Sequence, residues 1–336
     1  MTDKINPPKK YQIANLPTPI EHLEKLSAHL GGADIFIKRD DYTESGMSGN
    51  KIRKLEFSVA EALRQNADTL ITTGGIQSNH CRTTAIAARR AGLGVSLVLR
   101  GEAPEIAQGN LLLDHVAGAE ITWITPEQYK NNIFYMEKEA ERLASEGRKA
   151  YIIAEGASDA VGAWGYISAA AEIAAQCRDA GLEFDAIFNA VGSGGTTAGL
   201  AVGFARENYP LPVKSVAVCD GSDYFRNKID GILHDWSEKY ALEIPKNVDY
   251  EVIEGYIGPG YAIPYPEVID TIKTVARLEG IFFDPVYTGK AAWCLFDQTK
   301  KGMWKKGRSV LFLHTGGIFS LFAYSEELRA GAGADY

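Results

Sequence analysis

A glycine-rich run in the middle of the chain has the residue types that bind a phosphate group. Residues 189–199 read NAVGSGGTTAG, after a strand-like apolar run and before an apolar helix start. Backbone N–H groups and the helix dipole at such a junction attract an anion, and Thr196 and Thr197 add hydroxyl donors. The run has neither the G-x-G-x-x-G spacing nor the G-K-[ST] ending of nucleotide-binding loops. It therefore favours a single phosphate monoester, with a tight turn at positive φ as the structural alternative.

Lys51 is a candidate nucleophile because of its position. It stands directly after Ser48-Gly49-Asn50, where a helix is expected to begin. Burial and the positive end of a helix dipole both lower the pKa of a lysine. An amine with a lowered pKa is a competent Schiff-base nucleophile. The alternative is an ordinary solvated lysine at a helix start.

A third group of polar residues lies in the segment 73–80, which reads TGGIQSNH. Its two glycines free the backbone after a predicted strand, and Ser78, Asn79 and His80 place polar side chains at another predicted helix start. This arrangement suits a carboxylate group, and Asn79 could donate to a phenolic oxygen. The alternative is a polar loop whose serine caps the helix.

Two further motifs lie near the carboxyl end, at residues 284–290 (DPVYTGK) and 314–317 (HTGG). The second follows a predicted strand directly, at the end where open α/β sheets bind ligands. Tyr287 is a candidate acid or base, or else a buried aromatic with a satisfied hydroxyl. His314 is a candidate catalytic or structural residue. The histidines show no metal-ligand spacing, so no metal site is predicted.

The elements that must position these residues follow from an alternation of two patterns. Strand-like apolar runs lie at residues 34–38, 69–72, 95–99, 151–154, 186–190, 213–218 and 309–313. Helix-like stretches lie at residues 54–65, 83–91, 134–147, 162–181 and 266–279. This alternation predicts an α/β fold of βαβ units with mostly parallel sheets. The Gly/Pro-rich stretch 256–266, with three tyrosines, is predicted to be a functional loop.

Length and charge exclude several functions. The chain has 336 residues, which suggests about two domains. Its 35 Lys+Arg against 43 Asp+Glu give a net charge of −8, a poor match to nucleic acid or an anionic membrane. We expect neither a membrane span nor a secretory leader. Four cysteines without paired spacing indicate reduced thiols and a cytoplasmic location. The tail at residues 331–336 is expected to be flexible.

Together, five motifs resemble one family of pyridoxal-phosphate (PLP) enzymes. They are SGNKIRKLEF, TTGGIQSNHCR, GSGGTTAGL, DPVYTGKA and FLHTGG. The family contains the D-cysteine desulfhydrases and the 1-aminocyclopropane-1-carboxylate (ACC) deaminases. The resemblance runs from about residue 16 to about residue 324 and is closest to the desulfhydrases.

The resemblance implies a fold and an assembly. The fold is the tryptophan-synthase-β-like fold (PLP fold type II), with two open, twisted, mostly parallel sheets and helices on both faces. Residues 1–51 and 163–336 would form a larger PLP-binding domain, and residues 52–162 a smaller inserted α/β domain. A homodimer is also implied.

The resemblance further implies roles for individual residues. Lys51 would hold PLP covalently, Asn79 would donate to its phenolic oxygen, and Thr315 would approach its pyridine nitrogen. The other residues implied to bind PLP are Asn50, Lys54, Gly192, Ser193, Gly194, Gly195 and Thr196. Catalytic roles fall to Lys51, Ser78, Tyr261 and Tyr287. Substrate contacts fall to Ser78, Asn79, His80, Tyr261 and Thr288.

Two threonines separate the subfamilies. ACC deaminases carry Glu and Leu where this chain has Thr288 and Thr315, which is the desulfhydrase pattern. A neutral threonine near the pyridine leaves a weaker electron sink, adequate when a good leaving group departs from Cβ. The sequence thus predicts conversion of D-cysteine to pyruvate, hydrogen sulfide and ammonia. The alternatives are ACC deaminase, a lyase for 3-chloroalanine or cysteate, and a non-catalytic PLP or amino-acid binder.

One turn departs from the family pattern. Where the family usually reads I-P-V-G-G-S-N, residues 153–159 read IAEGASD. Glu155 adds a negative charge to this turn. If the turn borders the substrate, the preference of the enzyme could differ from D-cysteine.

Overall fold

Two separate sheets organise the chain in the computed structural model, which describes residues 7–329. The tail at residues 331–336 lies outside the described residues. The strands are β1 (Ile20–His22), β2 (Asp34–Lys38), β3 (Thr69–Gly75), β4 (Gly94–Arg100), β5 (Glu120–Ile124), β6 (Ala150–Ile152), β7 (Ala186–Val191), β8 (Val213–Ala217), β9 (Tyr250–Ile253) and β10 (Ser309–Leu313). The larger sheet has the order β1-β2-β10-β7-β8-β9, and the smaller has the order β5-β4-β3-β6. Only β1 pairs antiparallel with its neighbour.

Helices connect the parallel strands. They are α1 (Glu24–Leu30), α2 (Lys51–Arg64), α3 (Asn79–Arg90), α4 (Gly109–Val116), α5 (Pro126–Tyr129), α6 (Asn132–Ser145), α7 (Ala163–Ala180), α8 (Gly195–Arg206), α9 (Ser222–Tyr240), α10 (Pro266–Glu279), α11 (Thr288–Lys300), α12 (Ile318–Leu321) and α13 (Ser325–Arg329). Parallel neighbours need such crossovers because a tight turn can join only antiparallel strands. Among the described residues, no helix is long and apolar enough to cross a membrane.

The predicted α/β fold with mostly parallel sheets is confirmed. All seven predicted strands are present within a few residues, and the predicted helix at 266–279 has the predicted bounds. Strands β1, β5 and β9 were not predicted. The smaller sheet is built from strands between residues 69 and 152, inside the segment predicted as an inserted domain. The boundaries of that domain stay a prediction.

A buried ionic cluster joins the start of α2 to the larger sheet. The Arg53 guanidinium donates two hydrogen bonds to the Asp40 carboxylate, both 2.8 Å, and two to Glu172, both 2.9 Å. Tyr166 donates to Asp40, and Lys38 donates to Glu172. Arg53 and Asp40 are almost fully buried, so each charge depends on the other for compensation. The cluster fixes α2 two residues after Lys51.

The four cysteines are all free thiols in this fold. Cys81, Cys177 and Cys294 are buried, and Cys219 is half-buried. Burial raises the pKa of each of them, to about 12 for Cys294. These thiols therefore stay protonated at neutral pH.

Candidate active site

The five motifs converge on one cleft at the carboxyl ends of strands from both sheets. Strands β3, β7 and β10 end at this cleft, and α2 begins there. The cleft has a volume of about 690 Å³, including its open mouth, which lies in the range of small-molecule sites. Its lining residues are Asn50, Lys51, Gly74, Gly75, Ser78, Asn79, His80, Glu155, Gly156, Ala190, Val191, Gly192, Ser193, Gly194, Thr196, Thr197, Tyr261, Asp284, Tyr287, Thr315 and Gly316.

Lys51 is the first residue of α2, and its side chain lies in this cleft. Burial lowers the pKa of its amine to about 8, and the carboxylate of Glu155 opposes that shift. The uncharged amine, which a nucleophile or base requires, is therefore far more populated near neutral pH than in an ordinary lysine. A Cβ placed on Gly156 would lie 3.2 Å from Lys51 Nζ, so the turn after β6 packs directly against this amine.

The glycine loop and the start of α8 form a cradle of donors. Gly194 has φ +88°, which turns the chain into the helix that begins at Gly195. The Ser158 hydroxyl accepts from the Gly195 N–H (3.2 Å) and from Lys54 Nζ (3.2 Å), and it bonds the Ser193 hydroxyl (2.8 Å). Lys54 and Gly195 do not line the cleft themselves, but both donate to Ser158. Ser158 is a member of this cradle that the sequence analysis did not identify.

A close approach of two backbones closes the floor of the cleft. The Asn50 N–H donates to the Thr315 carbonyl (3.1 Å), and the Asn50 side chain donates to Thr196 (3.0 Å). A Cβ on Gly49 would lie only 2.4 Å from the Thr315 oxygen, and Gly49 has φ +112°. Glycine is required there on both counts. The contact ties Lys51 to the loop after β10.

The polar residues after β3 are held at the start of α3. Ser78 caps this helix by accepting from the Cys81 N–H, and it also lines the cleft. The Asn79 side-chain oxygen accepts from Asn110 Nδ2 (2.9 Å), which leaves the amide nitrogen of Asn79 for the cleft. His80 bonds Thr72 (2.8 Å), and burial lowers its pKa well below the ordinary value, so the ring is neutral. The sequence analysis did not identify Asn110.

Tyr261 and Tyr287 form a pair over the cleft. Their hydroxyls are 2.6 Å apart, and their rings meet edge to face. Burial raises the pKa of both phenols above the ordinary value of 10. Each phenol therefore keeps its proton, which suits a hydrogen-bond donor or an acid better than a base. A Cβ on Gly192 would come within 2.9 Å of the Tyr287 ring. The absence of a side chain at position 192 therefore leaves room for this ring.

Thr288 does not line the cleft, contrary to the substrate contact expected for it. Its hydroxyl and N–H donate to Asp284 Oδ1 (2.7 and 2.8 Å), while Oδ2 accepts from the N–H groups of Val286 and Tyr287. The Asp284 carboxylate thus caps α11 and fixes the backbone of Tyr287. Thr288 acts on the site through Asp284, and Thr315 lines the cleft as expected.

Of the two remaining candidates, Glu155 lines the cleft and His314 does not. His314 packs edge to face on Phe283 and accepts from the Gly316 N–H, and burial lowers its pKa to about 4. It lies outside the cleft lining, so its role is structural. Glu155 does line the cleft, and its carboxylate accepts from the Tyr129 hydroxyl (2.6 Å).

These residues fit PLP. The donor cradle at the start of α8 suits its phosphate, the Lys51 amine suits its aldehyde, and the free amide nitrogen of Asn79 suits its phenolic oxygen. A Cβ on Gly195 would narrow this cradle, since it would meet the Ser158 hydroxyl at 2.7 Å and Lys54 Nζ at 3.0 Å.

Comparison with known proteins identifies the class. The family model described as "Pyridoxal-phosphate dependent enzyme" matches residues 11–316, and the chain belongs to this family. It is 46% identical over 316 residues to a Thermotoga maritima protein provisionally named ACC deaminase, covering 93% of this chain and 97% of that one.

The resemblance to the desulfhydrase and deaminase branch is confirmed by further relatives. The chain is 41% identical over 340 residues to an Arabidopsis thaliana protein named bifunctional D-cysteine desulfhydrase/ACC deaminase, mitochondrial, covering 96% of this chain and 82% of that one. A crystal structure described as an ACC deaminase homologue superposes with a TM-score of 0.87 at 38% identity, covering 95% of each chain. The fold is PLP fold type II, and the cofactor is PLP.

We expect the capture of PLP by the cofactor-free protein to accelerate as pH rises through about 8. The pKa of Lys51 is about 8, and only the uncharged amine attacks the aldehyde. The initial rate of growth of the visible absorption band, measured at a series of pH values, reports this titration. A midpoint near the ordinary lysine value of 10.5 would contradict the buried setting of this amine.

Asn110→Ala should weaken PLP binding about tenfold. Asn110 is fully buried and holds the Asn79 amide through one hydrogen bond, so its loss lets that amide rotate. The dissociation constant of PLP can be measured by absorbance titration of the cofactor-free protein. Asn247→Ala is the control, since Asn247 is exposed, bonds the Ala205 carbonyl and does not line the cleft. Equal affinities for both variants would refute the positioning role.

Proposed function

We propose that the protein catalyses α,β-elimination from D-cysteine. One observation carries the proposal: three kinds of group share one cleft. They are an amine with a pKa of about 8, a pair of protonated phenols, and polar groups that can donate hydrogen bonds to a substrate carboxylate. Bound PLP supplies the electron sink for the carbanion at Cα. The threonines at 288 and 315 support the desulfhydrase branch. The balanced reaction is D-cysteine plus water giving pyruvate, hydrogen sulfide and ammonia.

Each residue has a defined task in this reaction. Ser78 and Asn79, at the start of α3, bind the substrate carboxylate. The uncharged Lys51 amine takes the proton from Cα. Tyr261 is protonated before the reaction because its pKa is raised, and its hydroxyl donates toward the departing sulfur. Tyr287 holds the Tyr261 hydroxyl in place. These contacts fix the orientation of the substrate, where an error of about 1 Å can cost about 10²-fold in rate.

ACC deaminase is the second candidate. The names of the Thermotoga and Arabidopsis relatives and the description of the superposing structure all include this activity. Ring opening of ACC gives 2-oxobutyrate, whereas D-cysteine gives pyruvate. The two keto acids therefore separate the candidates directly.

The PLP-loaded protein should release pyruvate from D-cysteine, and not from L-cysteine or ACC. Keto-acid release can be followed with the three substrates in parallel. Release of 2-oxobutyrate from ACC as the major activity would reject the desulfhydrase assignment. No release from any of the three, with an intact visible band, would mean that the enzyme takes another β-substituted amino acid. The homodimer and the cytoplasmic location stay predictions.

A further inference from the structure

We propose that Glu155 selects substrates by charge: the cleft accepts amino acids whose Cβ substituent is neutral or carries an ammonium group, and it rejects those with an anionic substituent. The inference deepens the proposed function, because it assumes that an amino acid binds beside Lys51. It assigns a role to the turn whose sequence departs from the family pattern.

The backbone of the turn brings Glu155 to the mouth of the cleft. The turn follows β6, and Glu155 begins a short 3-10 helix at Glu155–Ala157. The next residue, Gly156, packs against Lys51 Nζ, and both Glu155 and Lys51 line the same cleft. Glu155 is nevertheless exposed to solvent. A substrate attached beside Lys51 therefore extends its side chain toward a carboxylate at the opening.

The carboxylate has one neutral partner. Tyr129, at the end of α5, donates to Oε1 at 2.6 Å. Within residues 7–329, Glu155 forms no ion pair, and Oε2 accepts no hydrogen bond. The Arg100 guanidinium lies 4.8 Å from the Tyr129 ring and 5.2 Å from the Tyr261 ring. Arg100 does not line the cleft itself, but a Cβ on the lining residue Gly75 would lie 3.7 Å from its Nη2. The negative charge thus faces the entrance without an ion-pair partner, although it acts at longer range on the Lys51 amine.

The other ionisable groups of the lining do not provide a second such charge. Both oxygens of Asp284 are occupied by donors at the start of α11. His80 is bonded to Thr72, and the two tyrosines bond each other. In the part of the chain that the structure describes, Glu155 is the lining carboxylate with a free acceptor. A unit charge about 6 Å away in a partly wet cleft changes affinity about tenfold.

This charge ranks the substrates considered above. The neutral thiol of D-cysteine and the chlorine of 3-chloroalanine are compatible with Glu155, whereas the sulfonate of cysteate is repelled. An ammonium group at Cβ, as in 2,3-diaminopropionate, is attracted. The leaving group at Cβ differs among these substrates. The effect of the entrance charge is therefore read from how Glu155→Gln changes each substrate relative to the parent protein.

Kinetics of Glu155→Gln on three substrates tests the proposal. Any effect of the substitution on Lys51 is common to all three substrates, so each rate is compared with that for 3-chloroalanine. Relative to it, we expect kcat/KM for cysteate to rise about tenfold and that for 2,3-diaminopropionate to fall about tenfold. Glu127→Gln is the matched control, because Glu127 lies on α5 beside Tyr129 and its side chain is 80% exposed. Tyr129→Phe removes the hydrogen bond but keeps the charge, so it should preserve the ranking. An equal change for all three substrates would overturn the proposal.

A binding measurement separates this inference from the proposed reaction. Unreactive amino acids can be titrated into the PLP-loaded protein, with the visible spectrum and the midpoint of heat unfolding as readouts. Alanine, aspartate and 2,4-diaminobutyrate supply a neutral, an anionic and a cationic side chain. In the parent protein, aspartate should bind more weakly than alanine and 2,4-diaminobutyrate. In Glu155→Gln, aspartate should bind as well as the other two. If no keto acid forms from any substrate, this ranking still supports Glu155 as the selector; an identical ranking in both proteins refutes it.

Discussion

Lys51→Ala should abolish turnover, with keto-acid release at least about 10³-fold slower than in the parent protein. The substitution removes the buried amine with a pKa of about 8 that we propose to hold the cofactor and to take the Cα proton. The visible band of lysine-bound PLP should disappear at the same time. Stopped assays for pyruvate and an absorption spectrum measure the two effects independently.

A conservative replacement sharpens this test. Lys51→Arg keeps the positive charge, but a guanidinium does not lose its proton in proteins and cannot serve as a nucleophile or base. It should be as inactive as the alanine variant while unfolding at a similar temperature. Turnover that survived in either variant would refute the mechanism.

Arg53→Met should destabilise the fold by about 3–5 kcal/mol, the largest stability effect that we predict for substitution of a single buried residue. It leaves the fully buried Asp40 without its ionic partner and Glu172 without two hydrogen bonds. Denaturant titration followed by circular dichroism gives the free energy of unfolding. Arg64→Met on the same helix is the control, because Arg64 is 69% exposed and pairs with Glu61 at the surface. That change should cost less than about 1 kcal/mol.

The same cluster predicts a dependence on pH. Burial alone would raise the pKa of Asp40, but the charge and hydrogen bonds of Arg53 lower it below the ordinary value of 3.8. The cluster therefore stabilises the protein above about pH 4, and this stabilisation is lost as pH falls through the depressed pKa. If Arg53→Met and Arg64→Met had equal free energies of unfolding, the cluster would not be the anchor of α2.

The sequence predicted all interior strands of both sheets and missed three of the four edge strands, the exception being β6. Strands β1, β5 and β9 lie at sheet edges. An edge strand has a neighbour on one side only, so its residues are less buried: β5 is half-exposed over most of its length. A weakly buried strand has a weak apolar pattern, and pattern is the main signal of a strand. Strands β2 and β10, which lie inside the sheet, were predicted with the bounds that they have.

The candidate site was predicted where a residue type carries the chemistry and missed where the role depends on direction. Lys51, Asn79 and the glycine loop each combine a reactive or anion-binding residue type with the start of a helix. Whether Thr288 faces the cleft or its own helix cap depends on a rotation that no spacing encodes. Asn110 lies 31 residues from the amide that it orients, so only the packing of α4 on α3 reveals it.

The burial of the thiols has a consequence under the proposed desulfhydrase reaction, which consumes cysteine and releases sulfide. Thiol–disulfide exchange and persulfide formation both need a thiolate that reagents can reach. Cys81, Cys177 and Cys294 are enclosed, and all four cysteines have raised pKa values. The three buried thiols are therefore shielded from exchange with the cysteine and sulfide of the proposed reaction. This protection of the thiols comes from how the chain is packed and does not depend on the chemistry of the cleft.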